Sequence, residues 1–229
     1  MTPEQQRMYN YLETYGVPDL DAFIENSGRE ILLSPPARRV VATGAFLLYS
    51  WYYPSKRLVP AQPEEIAKLR RMLATAWDLT SGQEARQRLD DLYEVGHRAE
   101  FQPHLVQNEA YWRAEFDKYP FLRDHTVTSV AAWDYGRIAS VAYMSYVAGF
   151  LDIDTAFCYM DKATRAAVER FTSWEEFAVS YLAGRCMWNP TDPEGLRGFI
   201  GTAELHLQSE LRAWGTSPWA AYTPWPWKR

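Results

Sequence analysis

Apolar residues along the chain recur three and four positions apart, and no segment alternates apolar with polar positions for long enough to make a strand. The pattern predicts an all-α protein. Residues 3–15 and 18–26 read as two short N-terminal helices separated by Gly16, with Pro18 in a first turn where its missing N–H costs nothing. Residues 36–52 read as a third, apolar helix, and Pro54 and Pro60 bracket the loop that follows. Pro63, Glu64 and Glu65 open a helix whose acidic first turn suits the positive end of the dipole. Its Ile66, Leu69, Leu73 and Trp77 share one face. Further helices are predicted over residues 81–99 and 103–119, the second opened by Pro103 and ending before Pro120.

Residues 126–150 contain two charges, Asp134 and Arg137, among apolar, small and aromatic positions. A helix of that kind is buried on most sides. Asp152 is placed to cap a helix over 153–171 with Ala156, Phe157, Met160 and Ala163 inward. Thr172 or Ser173, with Glu175 or Glu176 three residues on, predicts a capping box for a helix running to Trp188. Pro190 and Pro193 stop it, and a last helix is expected over 194–214, ended by Gly215. The expected organisation is a single helical domain over residues 1–215, with an N-terminal helical extension over 1–60. An extended, polyproline-like tail over 216–229 follows, holding Trp219, Trp225 and Trp227.

Positions 127, 130, 134, 137, 141, 144 and 148 fall on one face of the central helix, so Asp134 and Arg137 sit among valines and Met144, three residues apart and within touching distance. Removing one partner of a buried pair costs about 3–5 kcal/mol. Two readings follow. In one, the pair is structural and holds neighbouring elements in register. In the other, an arginine beside a carboxylate forms an anion-binding or acid–base site in a cleft. Arg185 repeats the theme on a face with Trp174, Tyr181 and Trp188, where it can stack on aromatic rings. The site reading therefore assigns ligand binding to Arg137, Arg185, Trp133 and Trp174, and proton movement to Asp134, Glu175 or His97. Gly136, Gly149 and Gly184 lie inside predicted helices, where glycine costs about 1 kcal/mol relative to alanine and marks close approach of backbones.

The 229-residue chain carries 24 basic against 29 acidic side chains, a net charge of −5, with no basic stripe. Nucleic-acid binding is not expected. The longest uncharged stretches, 40–55 and 138–151, fall short of the roughly 20 residues that cross a bilayer, and no membrane association is expected. The start of the chain lacks the apolar run of a secretory signal, and Cys158 and Cys186 do not form a C-x-x-C pair. These features predict a cytoplasmic protein with two incidental core cysteines. His97, His104, His125 and His206 have no ligand spacing, so neither a metal nor a cofactor is expected, and no hydrolase, P-loop or dinucleotide motif is present.

Trp77, the Gly96-His97-Arg98 triplet, Ala132-Trp133-Asp134-Tyr135-Gly136-Arg137, Ser173-Trp174-Glu175-Glu176 and Gly184-Arg185 together carry a resemblance. They look like the bacterial YbeU/YbeR-type domain of unknown function, family twelve sixty-six of that series. The resemblance covers about residues 73–188 and leaves the N-terminal 60 residues and the tryptophan-rich tail outside. It implies matching positions and no reaction.

Two classes of function are consistent with these residues. The first is a protein-binding factor without catalysis, of immunity or adaptor type, whose partner is another protein met through aromatic edges such as Trp219, Trp225 and Trp227. The second is an enzyme or small-ligand receptor in which Arg137 and Arg185 clamp an anion beside Asp134, Glu175 or His97. They differ in one geometric respect. The second needs those five side chains to line one water-accessible pocket, whereas finding them sealed and mutually paired favours a scaffold.

Overall fold

The charge-poor stretch around Asp134 and Arg137 becomes a helix enclosed by other helices. The computed structural model describes residues 31–32, 40–50, 57–58 and 63–207. In chain order the elements are β1 (Ile31–Leu32), α1 (Ala45–Ser50), β2 (Arg57–Leu58), α2 (Pro63–Trp77), α3 (Gly82–Glu94), α4 (Arg98–Gln107) and α5 (Glu109–Phe116). They continue with α6 (Pro120–Arg123), α7 (Ala131–Val147), α8 (Ile153–Arg170), α9 (Trp174–Trp188) and α10 (Pro193–Leu207). The result is an all-helical domain. Additions to the predicted pattern are the short α6 and a two-residue antiparallel ladder that sets Ile31 opposite Leu58 and Leu32 opposite Arg57. The helices predicted over 3–15 and 18–26, and the tail over 216–229, lie outside the described residues.

Every residue of α7 is buried. It packs most extensively on α8, then on α9 and α3, and also meets α1. Small residues make that crowding possible. A Cβ on Gly136 would lie 2.7 Å from Cε2 of Tyr181, and a Cβ on Gly184 of α9 would collide with the Trp133 side chain. Close helix packing thus accounts for both glycines. The 40–50 segment is tied to α8 by a buried hydrogen bond between the Thr43 and Thr164 hydroxyls, 2.8 Å.

The central helix is shorter than its composition predicts. Residues 126–130 are not helical, and α7 begins at Ala131. Three side chains supply what the first turn lacks. Gln102 accepts from the N–H of Val130, Ser129 from that of Ala131 and Ser180 from that of Ala132. At the other end Gly149 has φ +74°, its N–H donates to the carbonyl of Tyr146, and Phe150 N–H donates to that of Ser145. That is a Schellman stop, so Gly149 terminates the helix and does not lie inside it.

The predicted helix over 81–99 is two elements. Gly96, at φ +59°, turns the chain between α3 and α4. Pro103 lies inside α4 and does not open a helix, and the chain breaks again at Asn108 before α5. The caps of α8 and α9 follow the sequence. Asp152 accepts from Thr155 N–H at 2.7 Å, and Ser173 accepts from Glu176 N–H at 3.0 Å. Glu176 in turn accepts from Thr172 N–H, one residue outside the usual capping-box position. Cys186 is buried, its thiol pushed up to about 11 by burial, whereas Cys158 is exposed and not a core residue.

Candidate functional site

The carboxylate of Asp134 has no solvent exposure. It faces the turn at Gly96, where the chain has left α3 and the first N–H groups of α4 have no partner within their own helix. Oδ1 accepts from His97 N–H at 3.0 Å and Oδ2 from Arg98 N–H at 2.8 Å. A side chain 36 residues further along therefore caps α4. Arg98 closes the preceding helix at the same point, donating from Nη1 to the Leu92 carbonyl at 2.7 Å and from Nη2 to that of Tyr93.

Arg137 meets Asp134 as the spacing predicts, with Nη2 at 2.6 Å from Oδ1. Its Nε donates to the Trp133 carbonyl at 3.1 Å, and the guanidinium lies 4.5 Å from the Trp133 ring centroid and 5.8 Å from that of Trp77. Burial works against the Arg137 charge and lowers its pKa, while the Asp134 carboxylate acts in the opposite direction. The same Nη2 is 2.7 Å from Nδ1 of His97. Guanidinium nitrogens only donate, so Nδ1 accepts and His97 carries its proton on Nε2 as a neutral ring. Burial first, and then the Arg137 charge, hold the His97 pKa below its ordinary value.

The other predicted site residues go elsewhere. Arg185 pairs with Asp192, which also accepts from Gly195 N–H at 3.0 Å and so caps α10. The Arg185 guanidinium stacks at 5.0 Å on Trp188 and 5.8 Å from Phe199. Trp174 does not join that strip. It is buried edge-on against Phe177, with centroids 5.8 Å apart. Trp133 is buried between Arg137 and Trp188. Asp134, Arg137 and His97 are thus brought together, Arg185 and Glu175 are not among them, and the single pocket of five side chains is not formed. Trp219, Trp225 and Trp227 lie outside the described residues.

Glu175 instead borders a cleft of about 500 Å³ with His125, Ser129, Arg170 and Ser173. There Nε2 of His125 meets Glu175 Oε1 at 3.0 Å and Nδ1 meets the Phe121 carbonyl at 2.6 Å. Both neighbours are acceptors, so the arrangement suits the imidazolium. Burial lowers the His125 pKa, but the Phe121 carbonyl and the Glu175 carboxylate together outweigh it and raise the value above the ordinary range. Sequence spacing gave no sign of this pair, whose members are 50 residues apart. Among the described residues no group of three His, Cys, Asp or Glu side chains is placed to hold a metal ion, and no helix is long and apolar enough to cross a membrane.

Comparison with curated proteins and with solved structures returns no match. A family model does match, over residues 72–225, which takes in the end of α2 and all of α3 to α10. It also reaches into the tryptophan-rich tail. The similarity therefore extends well past the 188 boundary suggested by the motifs, and the tail up to residue 225 is not peculiar to this chain. The chain belongs to the family described as Protein of unknown function (DUF1266).

Proposed function

We propose that this domain is a protein-binding factor without catalysis, of immunity or adaptor type, acting in the bacterial cytoplasm. The observation that supports this reading is the closure of its most suggestive polar group: both oxygens of the fully buried Asp134 accept backbone N–H bonds, and Arg137 takes up the charge. A carboxylate so engaged holds α4 on α7 and has no lone pair directed at a substrate. The W-D-x-G-R, S-W-E-E and G-R motifs, which suggest the YbeU/YbeR-type members, then describe a way of locking helices. Surface anchors for a partner are at hand in Tyr111, 53% exposed, and Trp188, 49% exposed.

Photo-crosslinking residues at Tyr111 and Trp188 of the full-length protein, with exposed Glu169 as control, test the reading in native cells. A discrete protein adduct at either aromatic position and none at Glu169 is the expected result. Monomer alone at all three positions overturns it. An immunity role also requires that expression of the protein rescue cells from a toxin encoded beside its gene.

A second reading, a receptor or enzyme for an anionic ligand, is favoured by the cleft in which Glu175 meets His125 near Arg170. Its readout is the His125 ring. Saturable displacement of the ring signals by inorganic phosphate, lost in Arg170→Ala, supports it, and an unmoved ring removes it.

A further inference from the structure

Three hydrogen-bond donors within one aromatic cluster are buried without an acceptor. They are the indole N–H of Trp133, the hydroxyl of Tyr181 and the terminal Nη1 of Arg185. Their residues are 4%, 1% and 5% exposed. Trp133 and Tyr181 meet edge to face with centroids 5.0 Å apart, and Trp188 lies 5.8 Å from Trp133 and 5.0 Å from the Arg185 guanidinium. Phe199 joins the two sides, 6.2 Å from Tyr181 and 5.8 Å from Arg185. Residues from α7, α9 and α10 thus bring the three groups into one neighbourhood.

A buried donor without an acceptor forfeits its hydration for nothing, and a charged donor forfeits most. Native interiors satisfy such groups, so three of them in one cluster call for acceptors from outside the protein. The indole and guanidinium N–H groups can only donate, which excludes a cation, an amine or a hydrocarbon as the missing piece. The charges favour an anion over a neutral carbonyl. Asp192 already holds Nη2 of Arg185 but sits at the rim with 40% of its side chain exposed, while Nη1 remains on the buried side. Arg137 and Arg185 both act on the Tyr181 hydroxyl, and both favour negative charge there against the opposing effect of burial. The enclosure of all three residues excludes a large ligand. Half-exposed Trp188, stacked over Arg185, is the most exposed ring of the cluster.

We propose that Trp133, Tyr181 and Arg185 form a binding site for a small, free oxyanion of the carboxylate or phosphate class. The site is separate from the cleft at His125; it shares Trp188 with the proposed partner surface, but its test needs no partner, so the failure of one reading is distinguishable from the failure of the other.

The test uses the full-length protein titrated with inorganic phosphate, acetate or chloride at constant ionic strength, observed through the Trp133 indole N–H resonance and the melting temperature. Phosphate or acetate is expected to move the indole signal saturably and to raise the melting temperature, with chloride inert; whichever of the two acts at lower concentration assigns the class. Tyr181→Phe keeps the ring and removes the hydroxyl. It is expected to be at least as stable as the parent without the anion and to bind about tenfold more weakly, the loss of one hydrogen bond to a charged acceptor. A Trp133 signal unmoved by both oxyanions overturns the proposal, whatever Tyr181→Phe does to stability, and assigns the donors to internal water.

Discussion

Gly96 leaves the space that the Asp134 carboxylate fills: a Cβ on Gly96 would collide with Oδ2 of Asp134. The same glycine has φ +59°, which an L side chain adopts only with strain. One residue thus provides both the turn between α3 and α4 and the room for the carboxylate that caps α4. Gly96→Ala is expected to lose about 1–3 kcal/mol from the backbone conformation alone. The displaced carboxylate adds to that loss. Urea unfolding measures it, and a midpoint equal to the parent's would show that the turn does not hold the cap.

Asp134→Asn removes the charge that Arg137 answers while keeping the shape of the side chain. A buried guanidinium left without its carboxylate is expected to cost about 3–5 kcal/mol. Arg137→Met is expected to destabilise as well, but the double variant Asp134→Asn with Arg137→Met is expected to lose less than the sum of the two, because no guanidinium is then left stranded at this position and the amide oxygen still accepts from an α4 N–H. Chemical denaturation of the parent, the two single variants and the double variant closes the cycle. A double variant as unstable as the sum of the singles would mean that the pair is not coupled.

Two helix-interior glycines are expected to respond to alanine with opposite signs. Alanine gains about 1 kcal/mol over glycine in a helix interior. At Gly201 nothing lies within 4 Å of the added Cβ, so Gly201→Ala is expected to stabilise by about that amount. At Gly184 the Cβ collides with the Trp133 side chain, whose position is fixed by Tyr181, Trp188 and the Arg137 stack. Overpacking of that kind costs about 1–3 kcal/mol, so Gly184→Ala is expected to destabilise. Melting temperatures of the two variants that move in the same direction would contradict this account.

Local features of the architecture were legible in the sequence because their causes are local. Asp134 and Arg137 meet through i,i+3 spacing on a helix with no other charge, and Asp152 and Ser173 cap helices whose first turns begin beside them. What the sequence hid are partnerships across long separations. Asp134 with the His97 and Arg98 N–H groups, and His125 with Glu175, depend on how α4 and the segment after α6 settle on α7 and α9. Arg185 stacks on Trp188 as its helical face predicts, but it is not joined by Trp174, for a related reason. Its helical face suggested Trp174, but a guanidinium reaches beyond its own helix, and Asp192 in the next turn of chain takes it. The overlong prediction for α7 has a different origin: the uncharged 126–130 stretch is β-branched at Thr126, Val127, Thr128 and Val130, and Gln102 and Ser180 satisfy a helix that starts later.

His97 and His125 are expected to titrate on opposite sides of the ordinary histidine value of 6.5. For His97, burial and the facing Arg137 outweigh Asp134 and Glu100 and depress the folded value. A depressed histidine contributes stability that is present above 6.5 and is lost as pH falls through the lower folded value, because protonation drives two cations together at 2.7 Å. For His125 the folded value is raised, so the contribution of its bonds to Glu175 and Phe121 is present below 6.5 and is lost as pH rises through the higher folded value. Ring signals followed from pH 4 to 9 should show His125 losing its proton at a higher pH than His97. Glu175→Gln should bring the His125 midpoint down and leave that of His97 in place. Coincident midpoints in the parent, or a Glu175→Gln effect on both rings, would refute the assignment of His97 as acceptor to Arg137 and of His125 as donor to Glu175.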